Sequence, residues 1–369
     1  MRLSPPARIA RLGLLALAGA SLVLGVAGGL ARLGVDMPPG AANATGLHGT
    51  LMIGGFLGTV IGIERAVALG GRVSFLAPAA SGLAALALIS GYVMPGAWLL
   101  VLASTALAVV GGVLARRQFA AHTVLLLVAS CAWLGANVLF ALGAGGDATC
   151  SWGFAFLVLT IAAERLELTR LAPRRSGAQP LLFAVVTALL AGSALAVWRP
   201  IEGAVLYGLA LIALAAWLFA FDVARRTIRL HGLARYAAVC LLGGYAWLAI
   251  AGAAWAGAAL FGWPVRDLAL HALSLGFVLS MIFAHAPIIA PAIVRVKIAF
   301  GPYFYVAPAA LHLSLIVRFV SGLVDPGARA VGGALNAATL AAFVIVMVYA
   351  IVRGARINRR TNPAPIVQG

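Results

Sequence analysis

The sequence predicts an all-α integral membrane protein of about twelve transmembrane helices, and three observations carry that prediction. Hydrophobic residues make up 63% of the 369, charged residues only 9%, and the mean hydropathy is +1.07; a soluble domain is about a quarter charged. The apolar runs are ~20 residues long, rich in Leu and Ala, and do not alternate with polar residues. The basic residues collect on alternate connections. In hydrocarbon every backbone N–H and C=O has to be paired within the chain, which leaves helices or a closed barrel, and non-alternating runs of this length choose helices.

Taken in order, the candidate spans lie near residues 9–31, 47–69, 73–93, 96–115, 118–142, 151–171, 180–198, 203–222, 235–261, 268–290, 303–323 and 330–352. Turn-forming residues punctuate them: Met37-Pro38-Pro39-Gly40, Met94-Pro95-Gly96, Arg199-Pro200, Gly262-Trp263-Pro264 and Asp325-Pro326-Gly327. The longest connector, after the sixth span, is about ten residues, so the chain reads as a single polytopic domain over 1–369. The stretch from Arg2 to Arg11 followed by an apolar run resembles a signal peptide, but the run is ~20 residues with no clean small-x-small exit, and a retained first helix is expected.

With the N-terminus inside, cytoplasmic ends and loops hold 21 of the 26 Lys and Arg, leaving Arg32, Arg199, Arg266, Arg318 and Arg329 outside. The clusters Arg116-Arg117, Arg170 with Arg174-Arg175, Arg225-Arg226 with Arg229 and Arg235, and Arg353 to Arg360 all fall inside, with both termini. The formal net charge of +17 therefore marks the face that touches anionic lipid headgroups and implies no nucleic acid. The Arg-rich, nearly Lys-free composition points to a high-GC bacterium, hence to the inner membrane. Cys131, Cys150 and Cys240 show no metal-type spacing, and their number is odd.

Polar side chains within the spans are costly enough to be functional candidates by default. They are His48, Glu64, Arg65, His122, Glu164, Arg165, His271, His285 and His312. Spans 2, 6 and 10 run in the same sense, and His48 and His271 start spans 2 and 10 at matched depth. Glu64 follows His48 by ~24 Å and His285 follows His271 by ~21 Å, at a helical rise of about 1.5 Å per residue. Span 6 carries Glu164-Arg165 at comparable depth, and Ile63-Glu64-Arg65-Ala66 looks like Ala163-Glu164-Arg165-Leu166. The chain thus reads as three pseudo-repeats of four helices, 1–115, 116–222 and 223–369. The Glu–Arg pairs form a charged intramembrane network, with Glu64 pairing Arg165 or Glu164 pairing Arg65 as its structural reading. Pro287 and Pro291 loosen the helix after His285, and His285 with His312 is a candidate second metal site. His122 and His231 read as ordinary.

The run Leu47-His48-Gly49-Thr50-Leu51-Met52-Ile53-Gly54-Gly55-Phe56 resembles the second helix of the NnrS family, His-x-x-x-Met-x-x-Gly-Phe, through His48, Met52, Gly55 and Phe56. It is also distantly similar to the His-Gly-x-x-Met run of haem–copper oxidase subunit I. The run His271-Ala272-Leu273-Ser274-Leu275-Gly276 with Met281 resembles the family's tenth helix. The resemblance implies twelve helices, haem b and copper, and a part in nitric oxide metabolism or electron transfer. On it, His48 and His271 are the axial ligands of haem iron, and Met52, Gly55 and Gly276, with Gly49, Gly54 and Gly58, line the macrocycle. The oxidase His-Pro-Glu-Val-Tyr stretch and adjacent His pair are absent, so oxygen reduction is not expected. Thr50 and Leu51 stand where the family often has a second His and a Glu, which weakens the copper assignment. The rival readings are a cofactor-free permease and an assembly factor for a respiratory complex.

Overall fold

The computed structural model describes residues 5–168, 177–294, 297–325 and 327–361. The basic residues Arg2, Arg170, Arg174, Arg175 and Arg295 and the turn residue Pro326 lie outside the described residues. Among the described residues every regular element is helical, as the composition requires: α1 (Pro5–Arg32), α2 (His48–Leu69), α3 (Leu76–Ile89), α4 (Val93–Arg117), α5 (Ala121–Ala141), α6 (Gly146–Leu168), α7 (Ala178–Leu195), α8 (Pro200–Phe221), α9 (Gly232–Phe261), α10 (Arg266–Pro291), α11 (Val306–Val324) and α12 (Ala328–Thr361), joined by short turns. Eleven of these carry helical segments long and apolar enough to cross a membrane. The exception is α3: its 14 residues, about 21 Å at 1.5 Å per residue, fall short of a ~30 Å hydrocarbon core. A 3-10 turn at Val73–Phe75 leads into it. Large apolar side chains such as Val23, Leu313 and Ile345 stay exposed on helix surfaces, as they do where lipid is the solvent. The chain is a multi-pass helical membrane protein.

The chain divides into two compact units, and the boundaries differ from those of the three expected quartets. The first unit comprises residues 1–211 with 255–264, the second residues 212–254 with 265–369.

In the first unit, sequential helices pack as neighbours: α3 on α4, α4 on α5, α5 on α6, with α1 laid along α2. Small residues let the backbones approach. A methyl group added at Gly28 of α1 would lie 2.3 Å from the Ala44 carbonyl oxygen, and one at Gly58 of α2 would lie 2.4 Å from the Trp133 ring. Trp133, 1% exposed, stacks on Phe156 at a centroid distance of 4.9 Å. In the second unit α11 and α12 form an antiparallel pair; Gly332 faces the backbone of Arg318 with only 2.3 Å to a would-be Cβ.

Both α2 and α10 contain an eight-residue π-helical stretch, Leu51–Gly58 and Ala272–Leu279. Each begins within three residues of the histidine that period-3.6 reading placed at the helix start. The π stretch widens the turn to i→i+5 bonding and leaves carbonyls to be satisfied from elsewhere. In α2 they are: Ser81 Oγ donates to the Gly54 carbonyl at 2.8 Å and Thr59 Oγ1 to the Gly55 carbonyl at 2.7 Å. Two rare helical segments, one in each unit and each following a histidine, are the local feature that hydropathy could not supply.

Candidate functional site

His48 is the first residue of α2 and packs against α1. Its Nδ1 lies 2.6 Å from the Gly25 carbonyl oxygen. A carbonyl only accepts, so Nδ1 carries the hydrogen and the ring's lone pair sits on Nε2. Gly29 makes room for the ring: a methyl group there would lie 2.8 Å from His48 Nδ1 and Cε1. One turn along α2, the Met52 sulfur lies against Gly25 in the same way, 2.9 Å from a would-be Cβ. The glycines of α1 thus form a slot for His48 and Met52, and a carbonyl of that slot sets the tautomer and orientation of the imidazole. Metal-binding histidines are commonly held this way, the second nitrogen donating to a backbone carbonyl or carboxylate.

His271 in the second unit closes the short α-helical stretch Arg266–His271 before the π segment. Its Nδ1 lies 3.0 Å from the Asp267 carbonyl oxygen and 3.1 Å from Asp267 Oδ1, acceptors both, so this ring too carries its hydrogen on Nδ1. Its Nε2 lies 3.3 Å from Arg318 Nη2 and accepts from it. The sequence gave no sign that Arg318, expected as an exterior end residue, belongs here. It is 5% exposed and forks onto Asp267, Nε to Oδ2 at 2.8 Å and Nη2 to Oδ1 at 2.7 Å. Asn336 accepts from Arg318 Nη1 at 3.4 Å and donates to Ser314 Oγ at 2.8 Å. Asp267, Arg318 and Asn336 were missed because each comes from a different helix, and a lone charge near a helix end reads as an interfacial residue.

The expected second metal site is corrected by hydrogen-bond direction. The indole Nε1 of Trp247, which can only donate, lies 2.9 Å from His312 Nδ1. That bond occupies the Nδ1 lone pair and puts the hydrogen on Nε2, so neutral His312 offers no lone pair to a metal. His285 has the opposite tautomer, its Nδ1 donating to the Met281 carbonyl at 2.6 Å. Among the described residues no three His, Cys, Asp or Glu side chains gather as they would around a metal ion, so the donors expected for copper do not converge there.

The glycines expected to line a macrocycle need a similar correction. The space over Gly276 is filled by the Trp247 ring, 2.5 Å from a would-be Cβ, that over Gly55 by Ala85 and Ser21, and that over Gly54 by Leu100. These glycines serve close helix packing. Gly49, beside His48, has nothing within 4 Å.

The inner charged network forms in one of its two expected pairings. Arg65 Nη2 reaches Glu164 Oε1 on α6 at 2.8 Å and its neighbour Glu64 at 3.2 Å. Arg165 is 5% exposed and also has an interaction partner.

Among known proteins, the family whose model matches is a domain of unknown function, DUF8744, over residues 11–352. Neither a curated protein nor a solved structure matches the chain.

Proposed function

The chain belongs to the DUF8744 family, and we propose that it is a haem-binding integral membrane protein with His48 and His271 as axial ligands. The observation that carries this reading is the preset His48 imidazole. Its Nδ1–H is fixed on the Gly25 carbonyl, its ring is seated in the slot opened by Gly29, and it stands at an α-to-π junction. His271 repeats the arrangement in the second unit with Asp267 as the Nδ1 partner. The donor set fits a haem iron at His48 directly. At His271 it fits once the 3.3 Å bond from Arg318 to Nε2 is given up, and Arg318 keeps its fork on Asp267 when that happens.

A bound haem would supply reversible one-electron chemistry and a binding position for a small gas such as nitric oxide. The chain's own residues do the rest. Gly25 and Asp267 hold the two rings in the ligating tautomer, and a carboxylate on Nδ1 raises the basicity of Nε2. The protein's location in a bacterial inner membrane, with both termini in the cytoplasm, is part of the same proposal and is supported by the distribution of Arg residues.

The test is optical. Protein purified from haem-replete cells should give the reduced-minus-oxidised difference spectrum of a b-type haem, and reduced protein should change spectrum on adding nitric oxide. His48→Ala and His271→Ala should each abolish or shift the bands, while His231→Ala, at an exposed position, should not. A colourless, folded protein would overturn the proposal and favour a permease.

A further inference from the structure

In the first unit, a cavity of about 550 Å³ opens where α5 begins, α6 ends and α7 begins. Gln118, Phe119, His122, Leu166, Gln179 and Phe183 line it, with small apolar residues between them. Its size lies within the ~300–1,000 Å³ usual for small-molecule sites. His122, which reads from the sequence as ordinary, is its distinctive member. It is only 8% exposed, and it makes no hydrogen bond among the described residues. A buried imidazole without a partner forfeits the bonds it made to water, so such groups are uncommon and call for a ligand.

The surroundings hold it there. Thr123 Oγ1 donates to the carbonyls of Gln118 and Ala120 at 2.7 and 2.8 Å and accepts from the Ala120 amide at 3.1 Å. One hydroxyl thereby locks the turn that delivers Gln118 and Phe119 to one side of the cavity and His122 to another.

The lining states what it would recognise. No Lys, Arg, Asp or Glu lines the cavity, so it has no counter-ion for a phosphate, a carboxylate or an ammonium group. Each polar group present, one imidazole and two primary amides, offers both a donor and an acceptor. Two phenyl rings supply faces for a flat apolar body. The cavity lies at the ends of three membrane-crossing helices, beside the exposed pair Arg116-Arg117, so an apolar tail can remain in lipid. A neutral ring with two oxygens at its ends and a hydrocarbon tail meets all of these conditions. Its carbonyls would accept from His122 and the amides, and in the reduced state its hydroxyls would donate to the same groups.

We propose that this cavity is a binding site for a membrane quinone, with His122, Gln118 and Gln179 as its polar contacts and Phe119 and Phe183 flanking the ring. The site stands on its own residues and does not depend on haem binding.

The test uses the full chain in nanodiscs of phosphatidylcholine, titrated with decylubiquinone in equilibrium dialysis against empty nanodiscs. Wild-type protein should bind one equivalent saturably. His122→Phe should weaken binding at least tenfold, His122→Gln should restore most of it, and His231→Phe should leave it unchanged. Gln179 is only partly buried, so Gln179→Leu provides a second variant that preserves the core, with a several-fold loss expected. Uptake by wild-type protein no greater than by empty nanodiscs would overturn the proposal. So would wild-type affinity in both His122→Phe and Gln179→Leu. Native mass spectrometry gives a third check: a phosphatidylglycerol retained by wild-type protein, lost in His122→Phe and not displaced by decylubiquinone, would assign the cavity to a lipid headgroup instead.

Discussion

Replacing Asp267 by Asn removes the charge that faces Arg318 while keeping the side chain's shape. The Arg318 side chain is 6% exposed and that of Asp267 22%, so water can reach the carboxylate but hardly the guanidinium. Arg318 would keep only the 3.4 Å bond to Asn336 and the 3.3 Å bond to His271, both neutral acceptors and both long. Leaving a buried charge without its counter-ion costs about 3–5 kcal/mol. Arg318→Met removes the guanidinium and strands the better hydrated carboxylate, and the loss should be smaller, about 2–3 kcal/mol. The double variant Asp267→Asn/Arg318→Met carries no stranded charge, and its loss should fall short of the sum of the singles by at least ~2 kcal/mol. The assay is SDS-induced unfolding in mixed micelles, followed by tryptophan fluorescence, on all four proteins. Additivity within ~0.5 kcal/mol would refute the reasoning, because it would mean that the two groups do not feel each other's charge.

Gly29→Ala places a methyl group 2.8 Å from two ring atoms of His48, so the ring must swing off the Gly25 carbonyl. The haem bands should weaken although the ligand residue is retained, whereas Gly13→Ala, on the same helix with nothing within 4 Å, should leave them unchanged; equal spectra for the two variants would argue against the slot. At the inner network the sign of the coupling reverses. Glu164→Gln should cost only about 1–3 kcal/mol, because Glu64 remains 3.2 Å from Arg65, but Glu64→Gln/Glu164→Gln should cost more than the sum of the singles, since Arg65 then loses both carboxylates. Losses that simply add in the same unfolding assay would show that the carboxylates do not share the guanidinium.

Much of the architecture was legible because the physics behind it is local. Twelve apolar runs became twelve helices, since each run of ~20 residues must satisfy its own backbone bonds in lipid. Only the third came out short, with α3 ending at Ile89 before a turn at Gly91, whose φ of 86° favours glycine. The cross-helix ion pair from Arg65 to Glu164 was also among the expected pairings, because a charge in hydrocarbon requires a partner and few were on offer.

What the sequence by itself determined is therefore the class of molecule, the helix count and the short list of polar residues that a membrane would not tolerate without a reason. The tertiary structure alone decided how those residues are used. It turned α2 and α10 into π-helices after their histidines, a change of hydrogen-bond register that apolar periodicity does not report. It brought Arg318 from α11 and Asn336 from α12 to Asp267 and His271. It fixed the proton of His312 by a donor 65 residues away. It also buried His122 without a partner at the mouth of a cavity. Each of these depends on which atoms from distant helices come within ~3 Å, the range over which a hydrogen bond acts, and no pattern along one helix encodes that distance.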